Sequence, residues 1–133
     1  MKAFLCIKYY PDMRNRQQIE EISSALERIG FETVCVVRDL EHWGNIQFSP
    51  ADLMRHAFAE IEKCDVFICE FSEKGVGLGI EAGYALAKGK PVMAVGKQGS
   101  DLSTTLQGIA VQVIFYENTA GLVDALRGSP WIP

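Results

Sequence analysis

The sequence predicts an α/β protein, a doubly wound parallel sheet with helices on both faces. Three observations carry that expectation. Five short runs rich in Val, Ile, Phe and Cys are nearly unbroken by polar residues, as strands buried on both faces are. The segments between them carry apolar residues at a 3.6-residue period. The 133 residues, 48% apolar and 23% charged, suit a single domain over 1–133 with no repeat, low-complexity tract or linker.

Taken in order, the first strand runs from Lys2 to Lys8. Ile19, Ile22, Leu26 and Ile29 form the stripe of the first helix, with Gly30 as its stop. Phe31 to Val37 reads as the second strand. Ser49 is a candidate N-cap and Pro50 the first residue of a helix whose stripe is Leu53, Ala57, Ile61 and Cys64. Asp65 to Phe71 is the third strand. A third helix is expected from about Gly79 to Lys88, closed by Gly89 with Pro91 behind it. Pro91 to Val95 and Val111 to Tyr116 complete the strands, and Leu122, Val123 and Leu126 mark a last amphipathic helix. Such alternation implies right-handed crossovers.

Composition excludes several classes of function. Thirteen Lys and Arg against 17 Asp and Glu give a net charge of −4, which argues against a nucleic-acid groove. No apolar run approaches the ~20 residues of a membrane span, so no membrane partner is expected. The opening Met1 to Lys8 is too short for a signal peptide and lacks a cleavage site. A cytoplasmic protein is the expectation. The four cysteines form no C-x-x-C, and no His stands at ligand spacing from any pair, so no metal is expected. Cys6, Cys35 and Cys69 lie inside apolar runs and read as core.

In doubly wound sheets a ligand sits beyond the carboxyl ends of the strands, where strand order reverses. The segments to inspect are therefore those that follow each strand: Lys8 to Asp12, Arg38 to Gly44, Ser72 to Gly79 and Gly96 to Thr105. The second is long for a βα connection. Its Trp43, His42 and Asp39 suit either a binding wall or a surface excursion. Tyr9, Tyr10, Trp43 and Phe48 are candidates to stack on a planar ring.

The stretch Ser72-Glu73-Lys74-Gly75-Val76-Gly77-Leu78-Gly79-Ile80-Glu81-Ala82-Gly83 is the most informative. Gly75, Gly77 and Gly79 allow a tight turn and a close backbone approach, and a helix N-terminus follows, so together they make an anion or phosphate seat. No Gly-Lys-[Ser/Thr] ending is present. The spacing Gly77-x-Gly79-x-x-x-Gly83 is one residue too long for the dinucleotide fingerprint and follows the third strand. The Ser/Thr-rich first loop of an electron-transfer flavodoxin is absent as well. No cofactor is expected. Glu81 is placed in the first turn of the third helix. It reads there either as an acid complementing the helix dipole or as a carboxylate nucleophile for a sugar carbon, as in retaining glycosyl transfer.

The segment Cys64-Asp65-Val66-Phe67-Ile68-Cys69-Glu70, followed by Gly77-Leu78-Gly79-Ile80-Glu81-Ala82-Gly83-Tyr84-Ala85 and Gly89-Lys90-Pro91-Val92, resembles the nucleoside 2-deoxyribosyltransferase family. That family includes the 2'-deoxynucleoside 5'-phosphate N-hydrolases. The resemblance implies a flavodoxin-like five-stranded sheet, a homodimer or larger assembly, and cleavage of an N-glycosidic bond in a nucleoside or nucleoside 5'-monophosphate. It puts Glu81 at the nucleophile position and Gly77 and Gly79 in the loop facing the sugar or its phosphate. Ser103 is the counterpart of a serine that reaches the 5'-phosphate in a neighbouring subunit; as a residue it reads equally as a helix cap. The Ser-x-Arg of the family's first loop is not reproduced, and Arg14 or Arg16 is the candidate basic group.

Two departures stand out. The second acid of the hydrolases, eight positions before the aspartate of the third strand, falls on Ala57; Asp39, Glu41 and His56 are alternatives that the spacing does not separate. Gly75 stands where the hydrolases place a phosphate-binding serine. The missing acid leaves open a second reading, a nucleotide-binding sensor without chemistry on the same fold.

Overall fold

The apolar runs fold as five parallel strands in a computed structural model that describes residues 1–132: β1 (Lys2–Cys6), β2 (Glu32–Val34), β3 (Val66–Glu70), β4 (Val92–Lys97) and β5 (Gln112–Tyr116). Their order is β2-β1-β3-β4-β5, the flavodoxin-like doubly wound arrangement, with the direction of winding reversing between β1 and β3. The helices are α1 (Arg16–Arg28), α2 (Pro50–Lys63), α3 (Val76–Ala87), α4 (Thr104–Ile109) and α5 (Thr119–Arg127). No helix among the described residues is long and apolar enough to cross a membrane.

Alternation along the strands divides the core in two. Ala3, Leu5, Val66, Ile68, Met93 and Val95 pack under α1 and α5 through Ile19, Ile22, Leu26, Leu122 and Leu126. Phe4, Cys6, Phe67, Cys69 and Val92 face Ile61 of α2 and Leu78, Ala82 and Ala85 of α3. The β1–β3 register pairs Phe4 with Phe67, whose rings stack at 5.4 Å, and Cys6 with Cys69. That register puts two thiols side by side at the carboxyl ends of the two central strands.

Local signals explain most boundaries. Gly30, at φ +98°, ends α1, its N–H bonding the carbonyl of Glu27 while that of Phe31 reaches Leu26. The Ser49 hydroxyl accepts from the Asp52 N–H with Pro50 at the first helical position, as expected for α2.

Two expectations need correction. β2 stops at Val34 instead of Val37, because the chain turns into a single π-turn over Val36–Leu40. The Asp39 carboxylate accepts the Cys35 N–H at 2.8 Å, and Arg38 reaches the Thr33 carbonyl at 2.9 Å, so this edge strand gives its last polar groups to side chains. Helix α3 begins at Val76, before Gly77 and Gly79. The turn is made at Ser72 to Gly75, with Gly75 extended at φ −163° as the N-cap. Burial of Leu78 together with Ala82 and Ala85 outweighs the roughly 0.5–1 kcal/mol that each helical glycine costs. Glu81 is consequently the sixth residue of α3, beyond its first turn, and the dipole reading of that residue is lost.

Candidate active site

Glu81 lies three residues after Leu78 and one before Ala82, so it belongs to the stripe that α3 presses onto the sheet. Three contacts with α2 fix the helix: Tyr84 stacks on Phe58 at 4.0 Å and donates its hydroxyl to Glu62 at 2.9 Å, while Lys88 pairs with Glu62 at 2.8 Å. The Glu81 carboxylate is half-buried and accepts a hydrogen bond from the Cys6 thiol at 3.1 Å. Among the described residues it has no cationic partner. Burial raises its pKa above the ordinary glutamate value, and the Cys6 hydrogen bond pulls partly the other way.

Cys6 stays a thiol. Its hydrogen bond with Cys69, its burial and the nearby Glu81 charge all raise its pKa well above the usual value. It therefore acts towards Glu81 as a donor, not as a thiolate.

The carboxylate opens into a cavity of about 440 Å³ at the carboxyl ends of β1 and β3, where the winding reverses. Ile7, Lys8 and Tyr9 line it from β1 onward, Val36, Val37 and Glu41 from the π-turn, Leu53 and Met54 from α2, and Gly75 to Leu78 from α3. The space is mostly apolar with a few polar groups, the make-up of small-molecule sites.

Only part of the expected set meets there. Tyr9, Gly75, Gly77 and Glu81 share the cavity. Gly79 and Ser103 line a neighbouring hollow of about 690 Å³ between α3 and α4, where the Ser103 hydroxyl caps α4 by accepting the Leu106 N–H at 3.2 Å. Tyr10 and Arg14 face a third cavity on the α1 and α5 side of the sheet, and Arg14 is paired with Asp12 at 3.0 Å. Asp39 is held by Arg38 at 2.8 Å, and Trp43 packs on the core with the Arg16 guanidinium 4.4 Å over its ring. Neither lines the Glu81 cavity. His56 is exposed and rests on Phe48.

Sequence reading assigns no role to two residues of the cavity, Cys6 and Lys8, and names a third, Glu41, only as one of three alternatives for the second acid. Cys6 looks like core, although its parity with Phe4 puts it on the face of β1 under α3. Glu41 is one acid among several in a long loop. Lys8 lines all three cavities and stands beside Gly75, where an added Cβ would lie 3.2 Å from its Cδ, 3.6 Å from its Nζ and 2.9 Å from Leu78. A serine at position 75 would crowd that lysine, which supplies a physical reason for the glycine.

The chain is 26% identical over 116 residues to a protein of Thermofilum pendens assigned as 2'-deoxynucleoside 5'-phosphate N-hydrolase 1, a match covering 82% of this chain and 78% of the relative. The chain thus resembles the nucleoside 2-deoxyribosyltransferase family, to which its motif over residues 64 to 92 is similar. The structure of the CMP N-glycosidase BcmB of Clostridium botulinum superposes with a TM-score of 0.66 at 23% identity, covering 96% of this chain and 98% of that one. A 2-deoxyribosyltransferase from Bacillus psychrosaccharolyticus gives a TM-score of 0.74 at 12% identity over 93% and 91% of the two chains. At those identities the two structures speak for the fold alone. No family model matches the chain. Within this fold, the residues brought together at the switch point are Glu81, Cys6, Glu41, Lys8 and Tyr9.

Proposed function

We propose that the protein cleaves the N-glycosidic bond of a nucleoside 5'-monophosphate or nucleoside, or transfers its deoxyribosyl group, with Glu81 as nucleophile. One observation carries the proposal: a half-buried carboxylate, without a cationic partner among the described residues, looks into a nucleotide-sized hollow at the sheet's switch point. A retaining route needs such a group to bond the anomeric carbon and later release it. The name of the curated relative, an N-hydrolase of 2'-deoxynucleoside 5'-phosphates, agrees with cleavage of an N-glycosidic bond.

Phosphate recognition has a natural place at the start of α3. The first N–H groups of the helix are free of intrahelical bonds, and the Lys8 ammonium stands beside Gly75. A backbone seat plus one lysine takes the role of the absent serine and Ser-x-Arg. Tyr9, 51% exposed at the rim, is the aromatic best placed to meet a base.

A homodimer is part of the same proposal. Val76 and Ile80 on the outer face of α3 are 83% and 50% exposed, an apolar strip beside the site that a second copy would cover. Four unpaired, buried cysteines suit the reducing cytoplasm.

The fully buried Ala57 keeps the sensor reading in play, since no acid stands at that position. Base release from a panel of nucleosides and 5'-monophosphates, run beside thermal shifts with the same compounds, separates the two. Stabilisation with turnover supports the enzyme. Stabilisation without release of base from any compound supports the sensor.

A further inference from the structure

A base that leaves a sugar carries off the electron pair of the glycosidic bond, and an acid that protonates it contributes typically ~10²–10⁴-fold to the rate. Glu81 cannot bond the sugar and donate that proton at once. The structure separates the three alternatives for the second group. Asp39 is engaged by the Arg38 guanidinium and the Cys35 N–H. His56 is exposed outside the cavity. Glu41 lines the same cavity as Glu81, is half-buried, and its carboxylate has no hydrogen bond or ion pair among the described residues.

The backbone around Glu41 is held in an unusual way. Its N–H closes the π-turn on the Val36 carbonyl at 3.0 Å, and its carbonyl accepts from Gly44 and Ile46, each at 3.0 Å. His42, Trp43 and Gly44 then follow with φ of 46°, 58° and 89°. Two successive residues with a Cβ in the left-handed region are costly, and such strain persists only where surrounding contacts enforce it. Here the Trp43 N–H bonds the Val37 carbonyl at 2.8 Å and Arg16 covers the indole ring. The strained turn fixes where Glu41 leaves the chain.

We propose that Glu41 is the general acid and base that works opposite Glu81, protonating the departing base and then activating the water or acceptor. This rests on the reading of Glu81 as nucleophile. In the first step a Glu81 oxygen bonds C1' as the C1'–N bond breaks. The electron pair goes to the base nitrogen, which takes the proton of Glu41. In the second, the Glu41 carboxylate removes a proton from water, the water oxygen bonds C1', and the electron pair of the ester bond returns to Glu81. Nucleotide and water become free base and sugar phosphate, with both carboxyl groups restored. Burial raises the Glu41 pKa, which keeps its proton available closer to neutrality. The other titratable groups at the cavity are Glu81 from α3, Cys6 from β1, Cys35 at the end of β2, and Lys8 and Tyr9 after β1.

The test compares Glu41→Gln, Glu41→Asp and Glu81→Ala on 2'-deoxyribonucleoside 5'-monophosphates and on 4-nitrophenyl 2-deoxyriboside 5-phosphate, whose nitrophenolate departs without a proton. Glu41→Gln should lower kcat on the nucleotides by ~10²–10⁴-fold and on the nitrophenyl compound by less than about tenfold. Glu41→Asp should recover part of the loss, and Glu81→Ala should be inactive on both. Equal losses on both substrates, or an unchanged nucleotide rate, would overturn the role of Glu41 while leaving Glu81 in place. Full activity of Glu81→Ala, or no turnover of any substrate by the wild-type chain, would overturn the nucleophile and Glu41's role with it.

Discussion

Cys6 supplies the hydrogen bond that opposes burial at Glu81. Burial favours the protonated acid, the thiol favours the carboxylate, and a nucleophile must be ionised. Activity should therefore rise with pH as Glu81 loses its proton. Cys6→Ala removes the donor, so that rising limb should move to higher pH and kcat at neutral pH should fall about tenfold, the worth of one hydrogen bond to a charged group. Cys6→Ser restores a donor and should bring the limb back. A pH–rate profile of the three proteins reads this, and an unmoved limb in Cys6→Ala would show the thiol to be mere packing. The motif that carries Glu81 was legible in the sequence because it is local. Cys6 and Lys8 were not, and Glu41 was not separated from Asp39 and His56, because their placement comes from β1, the π-turn and α3 meeting at one end of the sheet, a fact of topology that no local pattern contains.

Helix α3 is the element that brings the site together. Its glycines look like a loop to a reader of propensities, yet Leu78, Ala82 and Ala85 hold Gly77 and Gly79 in helix. Gly79 has open space where a Cβ would stand and no left-handed φ. Gly79→Ala should accordingly stabilise the protein by about 0.5–1 kcal/mol in a denaturant titration. A loss of similar size would mean that residue 79 is still in the turn and that Glu81 opens the helix after all. The other helix boundaries were legible where capping chemistry marks them, as at Ser49, Gly30 and Gly89, and β2 was misread where side chains replaced the ladder at Cys35.

At the scale of the whole molecule, the site is maintained at a cost to stability. Glu81 and Glu41 both have pKa values raised by burial, so the folded state holds their protons more tightly than the unfolded chain does. Stability from these groups is full below the ordinary glutamate pKa and declines as pH rises through their folded values. Glu81→Gln should then raise Tm at pH 7 and change it little near pH 4, as followed by thermal melts across that range. A Tm lowered at pH 7 would mean that the carboxylate is a structural partner. The sheet itself was the most legible feature: two-sided apolar strands and periodic helices leave few topologies that obey right-handed crossover, and the observed order is one of them. The division of the loops among three separate cavities was not legible, and it parts Arg14 and Tyr10 from Glu81.

Whether Glu81 itself takes the sugar is tested most directly by intact-protein mass spectrometry on quenched mixtures with 2'-deoxyribonucleoside 5'-monophosphates, scored together with release of base. A mass gain equal to the sugar phosphate, mapped to the peptide containing Glu81, is predicted for the wild-type chain, with neither adduct nor free base from Glu81→Ala. Release of base by Glu81→Ala at the wild-type rate would contradict it.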